Sequence, residues 1–314
     1  MHRLSDIDLR LLRVFIAIVE SGGLAPAQIA LNLSQSTIST QLAELEKRLG
    51  LRLCQRGRAG FSLTRAGEKL YAASGDLFAA VDRFQKVTAD VSGEMKGVLR
   101  IGTVDAMLSN PAFDLPALLG AFAARAPSVV VELSTDSPDA MVRAISDGTR
   151  DLAIGPFVKP ARAATSEIAF IPLFKERQAM FCAAGHPLFG RRRLGLADIR
   201  AYSFVARRYL NRFDLETVGH LKAAAVVEQM EAQAALILSG RFIGFLPVHY
   251  AMLIGRETRL RKLPLGAEGE YESPFFLLHK KGAEDNVVLR NFLNRVKEQC
   301  NTDPGLAVAG GIHC

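Results

Sequence analysis

The hydrophobic period of this 314-residue chain changes near residue 98, and that change divides it into two kinds of structure. Up to about residue 92, apolar residues recur every three or four positions, the spacing of amphipathic helices. From residue 98 onward, short apolar runs at 98–104, 129–133, 151–154, 178–183, 204–205, 224–227, 242–246 and 275–278 alternate with helical stretches at 115–125, 139–146, 230–239 and 286–299. Such alternation predicts an α/β fold with largely parallel sheets covered on both faces.

In the helical part, Ile38, Leu42, Leu45 and Leu49 share one helix face, and Ser36, Thr37, Thr40, Gln41, Glu44, Lys47 and Arg48 share the other. Ser34 precedes this helix as its N-cap, and Gln35 opens it. A helix anchored by an apolar stripe and presenting an amide and hydroxyls at its N-terminal end suits the DNA major groove, because Gln and Ser/Thr exchange hydrogen bonds with base edges. Its positive dipole end also favours phosphate. Leu9, Leu12, Phe15, Ile16 and Val19 predict a first helix ended by Gly22 and Gly23, and Pro26 opens a short second helix through Ala30. Three helices in fifty residues suit a helix-turn-helix unit.

Gly50 stops the recognition helix. Leu51, Leu53, Phe61 and Leu63 then alternate with polar residues around a glycine-bounded turn, which predicts a short β-hairpin. Between Lys47 and Lys69 stand seven basic residues, Arg56 and Arg58 among them, against one acid, Glu68. That excess suits a phosphate backbone.

The arrangement of Phe15, Ala30, Leu33, Ser34, Gln35, Ser36, Ser39, Leu45, Glu46, Leu49, Gly50, Leu53, Arg56, Leu63, Thr64 and Gly67 resembles the N-terminal domain of LysR-type transcriptional regulators. The resemblance implies a winged helix-turn-helix that binds an interrupted dyad in promoter DNA, usually as a dimer of dimers. Gln35, Ser36, Thr37, Ser39 and Thr40 match its groove-reading positions, and Arg56 matches the wing position that touches minor groove or backbone. Two departures are visible. Gly23-Leu24-Ala25-Pro26 replaces the usual polar start of the second helix, and Cys54 stands where a phenylalanine is common. The segments LRIGTVDA, GTRDLAIGP and LILSGRFIGFLP resemble the family's effector domain. That implies a fold like the type 2 periplasmic binding proteins, with two lobes joined by two crossover strands.

The expected organisation is a winged helix-turn-helix over 1–64, a linker and dimerisation helix over 65–92, an effector domain over 93–303 and a flexible tail over 304–314. Its first lobe is expected at about 98–165 plus 272–300, and its second at about 166–269. Leu70, Ala73, Leu77, Ala80, Phe84, Val87 and Val91 form a heptad seam that predicts pairing between two copies. Residues 92–97 read as a hinge.

Ligands of open α/β sheets sit outside the carboxyl ends of the strands. The expected effector residues are therefore Thr103, Val104, Asp105, Thr135, Asp136, Phe157, Phe204, Arg207 and Phe245. Backbone N–H groups with the Thr103 and Thr135 hydroxyls suit a carboxylate, as the resemblance implies. Asp105 and Asp136 oppose one unless Arg207 or Arg208 neutralises them, which leaves a zwitterionic or cationic effector open.

The net charge of +7 agrees with a nucleic-acid partner. Cys54, Cys182, Cys300 and Cys314 are scattered, and the six histidines lack metal-ligand spacing, so neither a metal, a disulfide framework nor a cofactor is expected. Enzyme motifs such as GxSxG or a Walker loop are lacking. The N-terminal residues carry Arg3, Asp6, Asp8 and Arg10 in place of an apolar signal core, so a cytoplasmic location and no membrane partner are expected. The sequence thus predicts a regulator, not an enzyme, whose partners are double-stranded promoter DNA, a small-molecule effector and RNA polymerase, assembled as a homodimer and then a homotetramer. A stand-alone solute-binding module and an effector-independent architectural DNA binder are the competing classes.

Overall fold

The computed structural model describes residues 5–57, 60–92, 95–157 and 167–302. The chain divides into two compact units, the first ending at Gln85 and the second beginning at Lys86. Arg58, residues 93–94 of the expected hinge and the expected tail lie outside the described residues, as does the side chain of Arg56.

The first unit holds α1 (Asp6–Glu20), α2 (Leu24–Leu31), α3 (Gln35–Leu49), the hairpin β1 (Cys54–Gly57) and β2 (Gly60–Leu63), and most of α4 (Arg65–Ser92). Phe15, Ile18, Ala27, Ile38, Leu42, Leu45 and Leu53 meet in its core, and Cys54 is buried with them. α1 begins with a capping box: the Ser5 N–H and hydroxyl both donate to Asp8, at 2.8 and 2.7 Å. α3 ends at Gly50, whose φ of +66° is the left-handed conformation that glycine adopts without strain.

The expected seam along α4 divides in two. Leu70 and Leu77 pack against the unit's own core together with Tyr71 and Phe78. Tyr71 and Phe78 each stand one position on from a seam leucine, so the stripe is wider than a seam and part of it serves the core. Ala73, Ala80 and Phe84 are exposed, and the side chains of Val87 and Val91 lie outside those described.

The second unit contains β3 (Gly97–Thr103), α5 (Leu115–Arg125), β4 (Val129–Thr135), α6 (Pro138–Asp147), β5 (Leu152–Gly155), β6 (Ile168–Ala183), α7 (Leu196–Ile199) and β7 (Ser203–Arg207). After these come α8 (Asn211–Thr217), β8 (Ala225–Val227), α9 (Met230–Leu238), β9 (Phe242–Pro247), α10 (Val248–Thr258), β10 (Leu260–Lys262), β11 (Glu270–Lys280) and α11 (Val287–Thr302). Strand order is β4-β3-β5-β11-β6-β9-β7-β8, with β10 also paired to β6. β3 runs parallel to β4 and β5, and β7 runs parallel to β8 and β9. The antiparallel pair β6 and β11 joins these two parallel groups.

Both joining strands serve both lobes. On β6, Ile168, Leu173 and Phe174 enter the first lobe's core, while Met180 and Cys182 enter the second's. Within β6, Lys175 to Gln178 pass from one core to the next, and the lobe boundary expected between residues 165 and 166 lies outside the described residues. The first half of β6 is disguised in the sequence by Pro172, which opposes Phe276 at a register shift. A bulge is where a strand tolerates proline.

Candidate nucleic-acid interface and ligand cleft

α3 is fixed at its N-terminus by a small hydroxyl cluster. Ser34 Oγ accepts from the Thr37 N–H at 3.2 Å and lies 2.9 Å from Ser36 Oγ and 2.8 Å from Thr37 Oγ1. The Gln35 N–H donates to Gln28 Oε1 of α2 at 3.2 Å, so the two helices of the motif are tied at the point where α3 begins. The first turn of α3 carries no acid, which leaves its positive end unopposed.

The expected groove-reading residues differ in what they offer. Gln35, Ser36 and Thr40 are exposed, while Thr37 and Ser39 are half-buried. Thr40 Oγ1 already donates to the Ser36 carbonyl at 2.9 Å, and Thr37 Oγ1 belongs to the cap cluster. Gln35 therefore carries the most adaptable hydrogen-bonding group of the set.

Two contacts that the periodicity does not reveal hold α3 in place. Arg48 donates through Nε to Asp8 Oδ1 at 2.5 Å, tying α3 to α1 and removing one cation from the basic run. Glu46 Oε1 accepts from the Leu53 and Cys54 N–H groups at 2.7 and 3.2 Å, fastening the hairpin to the same helix. Thr64 Oγ1 closes the far side, donating to the Arg52 carbonyl at 2.6 Å and accepting from the Gly67 N–H at 3.0 Å.

In the second unit, a cleft of about 230 Å³ opens between the lobes. Val104, Asp105, Thr135, Asp136 and Ser137 line it from the strand ends of the first lobe, and Tyr209, Glu228 and Gln229 line it from the second. Asp105 reaches across to accept the Met230 N–H at the start of α9, at 2.5 Å. Burial pushes the Asp105 carboxyl above its ordinary pKa, while the N–H groups of Met230 and Glu231 act the other way. Asp136 accepts from Ser134 Oγ at 3.1 Å and lies 3.9 Å from the Arg150 guanidinium. Glu228 accepts from Arg208 Nε at 2.8 Å.

Of the expected effector residues, Val104, Asp105, Thr135 and Asp136 line this cleft. Thr103 is buried beneath it, its hydroxyl donating to the Val104 carbonyl at 3.2 Å. Phe157 lines a second, largely apolar cavity of about 260 Å³ with Pro156, Leu210, Phe213, Tyr271 and Phe276. Phe204, Phe245 and Arg207 line neither cavity. Both phenylalanines are fully buried in the second lobe's core, where they pack edge to face. Arg207 is 1% exposed and binds Asp214 through Nη2 at 2.8 Å and Nε at 3.1 Å, with the Tyr271 hydroxyl as a third partner. A strand-end position locates a loop but does not say which side chains turn outward.

A buried polar chain between the lobes has no signal in the sequence. Ser109 Oγ lies 2.8 Å from His249 Nδ1, and His249 Nε2 lies 2.9 Å from Glu176 Oε1. Asn110 and Gln178 also donate to Glu176, and Arg207 Nη1 donates to Gln178 Oε1 at 3.4 Å. This order of Ser, His and Glu lines neither cavity, so it holds two lobes and a crossover strand together and presents no nucleophile to either space. Among the described residues no cluster of His, Cys, Asp and Glu could hold a metal ion, and no single helix is long and apolar enough to cross a membrane.

Comparison with known proteins places both parts of the chain in one family. The family model for the bacterial regulatory helix-turn-helix protein, lysR family, matches residues 9–68, and the model for the LysR substrate binding domain matches residues 92–301. The HTH-type transcriptional activator BauR of Pseudomonas aeruginosa is 35% identical, over 94% of this chain and 96% of that protein. The crystal structure of CbnR, a LysR family transcriptional regulator, is similar with a TM-score of 0.65 and 22% identity, covering 93% of this chain and 99% of that one. Full-length CbnR complexed with its target DNA is similar with a TM-score of 0.63 and 24% identity, covering 93% and 99%. At these identities the two structures speak for the fold.

Proposed function

The chain belongs to the LysR family of DNA-binding transcriptional regulators, and from that premise we propose that it reads an interrupted dyad in promoter DNA and changes those contacts when a small effector enters the interlobe cleft. The observation that carries the DNA half is the exposed start of α3, with Gln35 and Ser36 at a capped, unopposed positive helix end. Gln35, Ser36, Thr37, Ser39 and Thr40 face the groove, the first two directly and Thr37 through the cap that orients them. Arg56 and Arg58 supply phosphate or minor-groove contacts from the wing.

Two copies pair along the exposed α4 residues Ala73, Ala80 and Phe84, giving two heads for the two half-sites, and the dimers assemble further to tetramers. The work is done in the cytoplasm and includes contact with RNA polymerase. Effector binding acts as a population shift, so the ligand must prefer one assembly geometry over another. Val104, Asp105, Thr135 and Asp136 form its site, with Phe157 beside the neighbouring apolar cavity.

The test is a footprint of the purified protein on its own upstream intergenic DNA, with random DNA as competitor at fixed salt. A protected interrupted dyad is expected, shortened or shifted when a metabolite mixture is added. Equal affinity for random DNA overturns sequence-specific reading.

A further inference from the structure

The lining of the interlobe cleft carries a chemical class for the effector, provided that this cleft is the effector site proposed for it. Three carboxylates, those of Asp105, Asp136 and Glu228, line the cleft, and among the described residues no Lys, Arg or His lines it. Three arginines on neighbouring described segments already have partners. Arg207 is buried on Asp214, Arg208 is held by Glu228, and Arg150 sits against Asp136.

Nor is the start of α9 open to an anion. The N–H groups of a first helical turn are the usual dock for a ligand carboxylate or phosphate. At α9 that place is filled from the opposite lobe by Asp105, which accepts the Met230 N–H. An acidic ligand would therefore meet three carboxylates and find this helix end taken.

A cation meets the opposite conditions. Asp105 is a carboxylate whose charge is disfavoured by burial, and a neighbouring positive charge relieves that cost. The aromatic ring of Tyr209 lines the same space; the Arg207 guanidinium already lies 5.8 Å from its centroid, and an aromatic face attracts a cation within about 6 Å. We infer that the effector carries a protonated amine, which sits among Asp105, Asp136 and Glu228 against Tyr209. The cleft of about 230 Å³ limits it to a small amine or amino acid.

Three series of straight-chain compounds of about two to six carbons, matched in length, test this on the full-length protein: alkylamines, ω-amino acids and plain carboxylates. Melting temperature is recorded at fixed pH and ionic strength, since a ligand that binds only the folded state raises it. At least one amine-bearing series is expected to raise it, and the plain carboxylates to leave it unchanged. A rise with alkylamines alone identifies a simple amine, and a rise restricted to ω-amino acids identifies a zwitterion.

The exposed side chains of Asp136 and Glu228 allow Asp136→Asn and Glu228→Gln to be made without opening the core. Each should weaken the amine roughly tenfold or more, as loss of one charged partner does. E228Q also frees Arg208 and should gain affinity for plain carboxylates, a reversal that loss of structure would not produce. Stabilisation of the wild type by carboxylates but not by amines overturns the amine and leaves effector control standing. If no series acts, the amine falls. If a broad metabolite mixture also leaves the footprint unchanged, effector control falls with it.

Discussion

Arg207 and Asp214 form a two-point ion pair between the end of β7 and α8, at 2.8 and 3.1 Å, with both side chains almost wholly removed from water. A buried pair of this kind adds little net stability over an apolar replacement, but removing one partner strands the other charge, at a cost of about 3–5 kcal/mol. D214N and R207M should each destabilise the second unit by that order, read as a lower urea midpoint at unchanged slope. The double variant Arg207→Met with Asp214→Leu should recover much of the loss. Single variants that unfold like the wild type would show that the pair is not formed in solution.

The Asp8 and Arg48 pair should make the first unit sensitive to acid. The hydrogen bond from Arg48, then those from the Ser5 hydroxyl and N–H, hold the Asp8 carboxyl well below its ordinary value of 3.8. A folded-state value below the unfolded one favours the folded state above pH 3.8, and that advantage disappears as pH falls through the folded value. Unfolding of the wild type and of Asp8→Asn should therefore differ most at pH values above 3.8, and the difference should shrink progressively as pH falls below it. A difference that persists unchanged into acid would mean that the carboxylate charge is not what holds α1 to α3.

Gly67 should tolerate no side chain. A Cβ at this position would lie 2.1 Å from the Leu53 carbonyl oxygen, a backbone atom that cannot swing away. The same carbonyl accepts from the Thr64 N–H at 2.9 Å, so moving it opens the join between hairpin and α4. Gly67→Ala should cost about 2 kcal/mol or more and weaken DNA binding with it, whereas Gly75→Ala, where nothing lies within 4 Å, should be neutral or slightly stabilising. Equal melting temperatures for the two variants would contradict the close approach.

Much of this fold is legible in the sequence where one signal acts alone. The helix expected over 115–125 is found with those limits, because Asp114 caps it through the Ala117 N–H at 2.9 Å and Pro116 sits in its first turn. The strand ends that carry Asp105 and Asp136 are likewise located by alternation. Legibility fails where two demands share a segment. In Lys175-Glu176-Arg177-Gln178 all four residues are polar, yet Glu176 and Gln178 are buried and their neighbours are exposed. A strand that is polar on both faces gives periodicity nothing to detect. On α4, one row of leucines and aromatics packs the head while an adjacent row stays exposed, and a heptad count merges the two. Arg207 shows the same limit at the ligand cleft, because its partner Asp214 is known only once the chain is folded.

Specific recognition should depend on Gln35 more than on Thr40, although both lie on the exposed face of α3. The Gln35 backbone is held by Gln28 and its side chain extends from the first turn, free to meet a base with both a donor and an acceptor. The Thr40 hydroxyl is already bonded to the Ser36 carbonyl, so a base would have to displace that bond. Gln35→Ala should cost about 1–3 kcal/mol on the operator and relax preference at one or two base pairs. Thr40→Ala should cost under about 1 kcal/mol. Neither removes a cation, so the slope of log affinity against log salt should stay at the wild-type value for both. Competitive binding to the footprinted operator and to random DNA, measured across a salt series, separates these effects. An equal loss on both DNAs for Gln35→Ala would place this side chain on the phosphate backbone instead of in the groove.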